Sequence, residues 1–553
     1  MPRLLSLLRK AWFPAAILFL YLYSFPYFTE IHSANELPRI YLTMAMVDRH
    51  SLDIEVELRR FFDTPDTSTY KGKRYSNKPP GISLLAVPVY VAQKWANGGR
   101  TPELIRMFFW FRLFAVTIPS LIFLILLWRF LGRLVRDEAM RRMVLAAYAL
   151  GTLALTYGTL LFSHQLSAAL LTTAFILIFF FARGEGSHGR LVWAGLAAGG
   201  GVLTDYQVAF LGPPLFIYLL WAARLRGGRA AAGDRRAMLR AAALFCAGAA
   251  PPLAALLLYH WGCFEHPFRT GYNFPTDPVF RLWHSKGFLG LSAFKPAALW
   301  GRYFSADDGL FWYSPFLLLA LPGLALMLRR RPTISGDAAT AGLRAEGIFC
   351  TVAILFFVYF AASLAFVSGW DVGPRYIAGV IPCYVVPVAV FAATHGSRAW
   401  ARVLCYGLMG VAIVIYATVN AVFPHYPDNF SNPFFDVTLR FGRAGYLPYN
   451  LGWLFGLRGL ASVVPYLAVL GVLLVALLLG GPGTWRRRGL VAIASVALAF
   501  CLLVLYHQQL SWRRQPVPVS FIPWMERIWE PRHPGMDLRK LLPRGRVQRT
   551  GGR

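Results

Sequence analysis

Long apolar runs, separated by short links rich in arginine, fill the chain from Ile17 to Val504. Taken as a helix, each run of roughly 17 residues or more can cross the roughly 30 Å hydrocarbon core of a bilayer. The pattern predicts thirteen spans, near 11–29, 105–128, 143–162, 166–182, 191–203, 208–223, 241–259, 310–328, 347–367, 377–394, 403–422, 459–480 and 489–506. The expected fold is therefore an all-α polytopic membrane protein. The 191–223 pair is short for two crossings, so its tip at Asp205 is expected to be recessed.

Three polar segments between the runs are long: 30–104, 260–309 and 423–458. In the first, Pro38 to Val47 and Ile82 to Ala96 read as interfacial helices, too brief to span and edged with Tyr or Trp. Between them, Asp63-Thr-Pro-Asp66 and Lys71-Gly-Lys73 carry turn chemistry.

Composition agrees with the pattern. Of 553 residues, 57% are hydrophobic and 15% charged, against about 25% charged in a soluble domain, which excludes a soluble enzyme. The net charge of +30 would suggest a nucleic-acid partner if it were spread over a soluble surface. Here the basic residues lie in the links 1–10, 129–142, 183–190, 224–240, 329–346, 395–402 and 486–488, whereas the short links 163–165, 204–207 and 368–376 hold only Arg375. That asymmetry predicts a cytoplasmic N-terminus, an extracytoplasmic C-terminus and no nucleic-acid partner. The three long segments then face the extracytoplasmic side, and the basic tail 507–553 is expected there, partly disordered. The basic start followed by a long apolar stretch without an Ala-x-Ala site reads as an uncleaved first span. Six cysteines show no metal-ligand spacing, and no disulfide or zinc site is expected.

Ionisable groups near hydrocarbon cost roughly 2.5–3.5 kcal/mol each, so those gathered at one set of span ends mark a candidate site. They are Glu30 and Glu36 after the first span, Lys78 in Asn77-Lys-Pro-Pro-Gly81, His164, Asp205, and Asp371 and Arg375 in Gly369-Trp-Asp-Val-Gly-Pro-Arg-Tyr376. Each has a structural alternative: a helix-dipole partner for Glu36, an interface-snorkelling lysine, and helix-end caps for His164 and Asp205.

At these residues the chain resembles the integral-membrane glycosyltransferases of the GT-C fold, family 39, which includes protein O-mannosyltransferases and lies near the aminoarabinose transferases. The resemblance rests on Glu36-Leu-Pro-Arg39 after span one, on Lys78-Pro79-Pro80 followed by the apolar helix Ile82 to Ala92, and on Gly373-Pro-Arg-Tyr376. It covers roughly residues 1–480, with 481–506 as a last span. The chain departs from the family pattern in Asn35-Glu36, where many relatives have two carboxylates. It departs again in Ser163-His164-Gln165, where many have an acidic residue, and in Thr204-Asp205-Tyr206-Gln207, where many have a lysine.

The resemblance implies transfer of a sugar from a polyprenyl-phosphate carrier to a hydroxyl acceptor (glycan, lipid or protein) with inversion, at the extracytoplasmic face of the plasma (bacterial inner) membrane. It implies Glu36 as the catalytic base, Arg39, Lys78 and Arg375 as ligands of the donor phosphate, and His164, Asp205, Trp370, Asp371 and Tyr376 as possible site walls. No metal is required, although Glu36 and Asp371 could share a divalent ion. Trp261, Arg269, Tyr272, Asn273, Trp283 and His284 in 260–309, and His425, Tyr426, Asp428 and Asn432 in 423–458, are candidate acceptor walls, because aromatic rings stack on sugar faces, the alternative being an aromatic interface belt. Two rival classes stay open: a lipid or solute transporter, for which Gly212-Pro-Pro214 and Pro251-Pro252 supply helix breaks, and a non-catalytic partner in cell-envelope polysaccharide synthesis.

Overall fold

The computed structural model describes residues 2–24, 33–226, 235–288, 290–329, 342–364, 372–422, 424–426, 430, 432–443, 445, 447–508, 517–518 and 547–548. The expected site residues Trp370 and Asp371, together with Glu30, Asp428 and most of the tail, lie outside them. Among the described residues nine helices are long and apolar enough to cross a membrane: Leu104–Leu134, His164–Ala182, Tyr206–Arg226, Arg235–Phe264, Arg344–Ser363, Arg375–His395, Ala399–Val422, Leu460–Leu479 and Trp485–Gln508. Ala11–Tyr23 and Pro315–Leu328 are shorter apolar helices.

Two of the thirteen expected spans take other forms. Within 143–162, Glu138–Leu150 ends at Gly151, and the Thr152 side chain caps a separate short helix, Leu153–Tyr157, by accepting from the Ala154 N–H. Residues 143–169 are buried without interruption, so this segment runs through the middle of the bundle. In place of 191–203 stands Arg190–Thr204, a helix of 15 residues and so about 22 Å long, short of a full crossing. It lies directly on Arg235–Phe264. A Cβ on Gly195 would stand 1.9 Å from the Phe245 carbonyl oxygen, and one on Gly248 1.9 Å from that of Val192, so both contacts require a missing side chain.

Arginine-rich links meet at one end of the bundle. Arg133 pairs with Glu185 at 2.8 Å, Arg183 with Glu346 at 2.9 Å and Arg402 with Asp137 at 2.6 Å, while Arg487 donates to the Ser397 carbonyl at 3.2 Å.

The first long segment forms Leu37–Asp48, Glu55–Arg60, a β-hairpin of Thr67–Tyr70 with Lys73–Ser76, and Gly81–Ala96. The hairpin reverses at Lys71 and Gly72, both at positive φ, as a tight two-residue turn requires. Both expected interfacial helices are present, in different settings. Leu37–Asp48 is largely buried, packing Ile40, Tyr41 and Met44 into an apolar cluster with Ile82, Phe108, Phe111 and Phe264. Gly81–Ala96 instead exposes Leu84, Leu85, Val91 and Trp95, an apolar face suited to the membrane interface. Tyr90 and Lys94 both donate to the Asp48 carboxylate at 2.6 Å, fastening the two helices together.

Candidate active site

A cavity of about 740 Å³ opens where the first segment meets the ends of four spans. Its polar wall comes from separate stretches of chain: Asn35 and Arg39, Asp66, Asn77 and Lys78, Ser163 and His164, Asp205 and Tyr206, Tyr272, and Arg375 and Tyr376. Its apolar side is formed by Phe210, Phe288, Leu291, Phe360 and Leu364.

The hairpin sets the first charged pair. Thr67 faces Ser76 across the ladder, so Asp66 and Asn77 stand at its open end and bring Lys78 to Asp66. The Lys78 ammonium lies 3.0 Å from Asp66 Oδ1, which also accepts from Asn77 Nδ2 at 3.4 Å. Burial pulls the Lys78 pKa down to about 8, opposed by Asp66 and reinforced by the positive charges of Arg39 and Arg375. Burial acts to raise the Asp66 carboxyl, but the charges of Lys78 and Arg375 outweigh it and hold the group below its ordinary range.

Gly81 keeps this corner tight. A Cβ there would lie 2.5 Å from Thr204 Cγ2 and 2.7 Å from the Leu203 carbonyl oxygen, so the Lys78-Pro-Pro turn rests on the end of Arg190–Thr204. The next residue, Asp205, is buried and caps the turn Tyr206–Leu211 through the Gln207 N–H. Its Oδ2 lies 2.9 Å from His164 Nδ1 and 3.3 Å from Ser163 Oγ.

Arg39 donates to the Asn35 backbone and side-chain oxygens and, at 3.4 Å, to Ser163 Oγ, while its buried Nε has no hydrogen-bond partner among the described residues. The Arg375 guanidinium stands over the Tyr376 ring at 5.0 Å and the Phe162 ring at 5.7 Å, and donates to the Tyr376 hydroxyl at 3.2 Å. Arg39, Lys78, Arg375, His164, Asp205 and Tyr376 are thus brought together, as expected.

Glu36 is not brought with them. It is fully buried behind the cavity, where Arg112 Nη2 approaches its two oxygens at 3.0 and 3.2 Å and the Leu161 N–H donates at 2.8 Å. Burial raises its carboxyl pKa above the ordinary value despite these contacts. Glu36 is not among the described residues that line the cavity, and its contacts with Arg112 and the Leu161 N–H suit an anchoring role. Among the described residues no three His, Cys, Asp or Glu side chains converge as metal ligands.

Of the candidate acceptor walls, Tyr272, Trp283 and His284 line the cavity, with Tyr272 stacked on His284 at 4.7 Å, whereas Trp261 is exposed, Arg269 donates to the Tyr70 hydroxyl and Asn273 caps the turn at Thr270, and none of these three lines it. The 423–458 candidates are taken up in packing: Tyr426 bonds Thr438 at 2.5 Å, Asn432 donates to the Tyr506 carbonyl, and His425 is buried near Phe162.

Residues 103–254 match the pattern of the dolichyl-phosphate-mannose-protein mannosyltransferase family. No curated protein matches the chain. Among solved structures, the chain is similar to ArnT from Cupriavidus metallidurans bound to undecaprenyl phosphate, at 16% identity and a TM-score of 0.44, covering 92% of this chain and 81% of that one. It is also similar to the archaeal oligosaccharyltransferase AglB from Archaeoglobus fulgidus in complex with an inhibitory peptide and a dolichol-phosphate, at 12% identity and a TM-score of 0.41, covering 79% of this chain and 58% of that one. The family match spans Ser163, His164 and Asp205 and agrees with the resemblance carried by the motifs at Glu36, Lys78 and Gly373: the chain is similar to the integral-membrane glycosyltransferases of the GT-C fold, family 39.

Proposed function

We propose that the cavity binds a polyprenyl-phosphate-linked sugar and that the chain transfers this sugar, with inversion, to a hydroxyl of a glycan, lipid or protein acceptor. The cavity would face the extracytoplasmic side, with the N-terminus cytoplasmic and the C-terminus extracytoplasmic.

One observation carries this reading: Arg39, Lys78 and Arg375 line a single cavity whose carboxylates, among the described residues, are Asp66 and Asp205. With a neutral histidine the wall has an excess of one positive charge, which complements the single negative charge of a sugar phosphodiester. As the bond between the anomeric carbon and the phosphate oxygen breaks, the leaving phosphate gains a second charge, and cations already fixed around it stabilise that change more than the ground state. The side formed by Phe210, Phe288, Phe360 and Leu364 offers an apolar exit for the prenyl chain, and Tyr272 and Trp283 offer ring faces for a sugar. The matched family is named for a polyprenyl-phosphate donor of this class.

The test is sugar transfer from a panel of radiolabelled polyprenyl-phosphate sugars by purified protein in bilayers, with binding of polyprenyl phosphate measured alongside. Lys78→Ala is expected to lower kcat/KM about 10²-fold, the scale of one charge-stabilising group, and to weaken polyprenyl phosphate binding. Wild-type protein that neither binds the lipid phosphate nor transfers any sugar, or a Lys78→Ala protein equal to it, would overturn this function.

A further inference from the structure

With Glu36 enclosed by Arg112, the cavity still needs a group to accept the acceptor's proton. We infer that this group is His164, oriented by Asp205, so that the reaction is run by a histidine–carboxylate dyad rather than by a lone carboxylate. The inference rests on the function proposed above and names the catalytic residue of that site.

The hydrogen bonds fix the imidazole's state. Arg39 donates to Ser163 Oγ at 3.4 Å, and Ser163, having one hydroxyl proton, donates it to Asp205 Oδ2 at 3.3 Å. The Asp205 carboxyl feels burial, which would raise its pKa, but its contacts with His164, the Gln207 N–H and Arg39 prevail and hold it below the ordinary range. An ionised carboxylate only accepts, so the 2.9 Å contact at His164 Nδ1 is an N–H donated to Asp205. In the neutral ring Nε2 then carries the lone pair. No hydrogen bond occupies Nε2 among the described residues, and His164 lines the cavity. The ring is held edgewise against Tyr157 at 5.5 Å and Tyr376 at 6.0 Å, and lies 6.0 Å from Phe162, so its direction is set by packing.

Among the described residues the charged and titratable groups facing it are Asp205, Arg39, Arg375, Tyr157 and Tyr376. Asp205 alone among them is an anion, and it stabilises the imidazolium formed in the step. The step balances. The acceptor oxygen forms its bond to the anomeric carbon as its proton moves to His164 Nε2. The bond from that carbon to the phosphate oxygen breaks, and its electron pair leaves on the phosphate beside Arg39, Lys78 and Arg375. The imidazolium then returns its proton to the departing phosphate or to water.

The experiment measures kcat, donor KM, polyprenyl phosphate binding and the pH profile for wild type, His164→Ala and Asp205→Asn. His164→Ala is expected to lower kcat about 10²- to 10⁴-fold, the worth of a positioned general base. Donor KM and lipid phosphate binding should stay within about threefold, which also reports an intact fold, and added imidazole should restore part of the rate. Wild-type kcat should rise with pH through the histidine range, and that limb should vanish in His164→Ala. Asp205→Asn should lower kcat while retaining lipid phosphate binding. A His164→Ala protein that keeps wild-type kcat, or keeps the acidic limb, overturns the dyad alone. Wild-type protein that neither binds the lipid phosphate nor transfers sugar overturns the proposed function and the dyad with it.

Discussion

Glu36 and Arg112 are both fully buried and satisfy each other, with the guanidinium carbon also 3.3 Å from the Phe108 ring centroid. Removing one charge of such a pair leaves the other uncompensated, so Glu36→Gln should cost about 3–5 kcal/mol of stability. The expected readout is a lower melting temperature in detergent and a lower yield, with a Glu36→Leu, Arg112→Leu double variant recovering much of both. Full stability in Glu36→Gln with transfer abolished would return Glu36 to a chemical role. Lys78 makes a different prediction. Its pKa of about 8 means that the ammonium is charged below pH 8 and is lost as pH rises through that value. Affinity for polyprenyl phosphate should therefore fall above about pH 8 in wild type, and this alkaline fall should be absent from Lys78→Arg, which stays charged. A titration of lipid binding between pH 6 and 10 decides it. Lys78, Arg375, His164 and Asp205 were legible in the sequence because each stands at a span end or turn where polarity is out of place, whereas Arg39 was legible only through the family resemblance of Glu36-Leu-Pro-Arg39. Arg112 gave an equivalent signal, a cation eight residues inside the helix Leu104–Leu134, but its partner lies in another segment and no spacing links the two. Asp66 was hidden in turn chemistry; folding the chain about Lys71-Gly72 is what sets it beside Lys78.

At the scale of elements, the site depends on one close contact. Gly81 begins a helix and presses on Thr204, which ends another, so the turn bearing Lys78 and the tip bearing Asp205 are in register only while position 81 lacks a side chain. Gly81→Ala must push the two apart. A misplacement of about 1 Å can cost about 10²-fold in rate, so transfer should fall by about that factor with a smaller change in melting temperature. Unchanged kcat in Gly81→Ala would show that the corner can relax. Most elements could be read from apolar run length and turn residues, including both helices of the first segment. Two could not. The run at 143–162 is apolar because it is buried in the bundle, and hydropathy does not distinguish a protein interior from lipid, so its break at Gly151-Thr152 went unseen. The burial of Leu37–Asp48 beneath Gly81–Ala96 likewise follows from tertiary packing that a short amphipathic pattern does not encode.

Across the whole molecule, the arginine-rich links at 129–142, 183–190, 395–402 and 486–488 are joined by ion pairs or hydrogen bonds, and the cavity residues gather at other helix ends. In the proposed orientation the arginine-rich end is cytoplasmic and the end of Trp485–Gln508 lies outside. An alkaline phosphatase fused after residue 508 should therefore be active in the periplasm and one fused after residue 226 inactive. The reverse pattern would invert the proposed orientation of the cavity. The polar wall has one further consequence. Arg39 and Lys78 emerge early in synthesis, His164 and Asp205 later, and Arg375 only after most of the chain has been made. A nascent chain therefore holds fragments of the polar wall but never the whole of it, and under the proposed function a lipid phosphate would meet all three cations only once the helix that begins at Arg375 is in place.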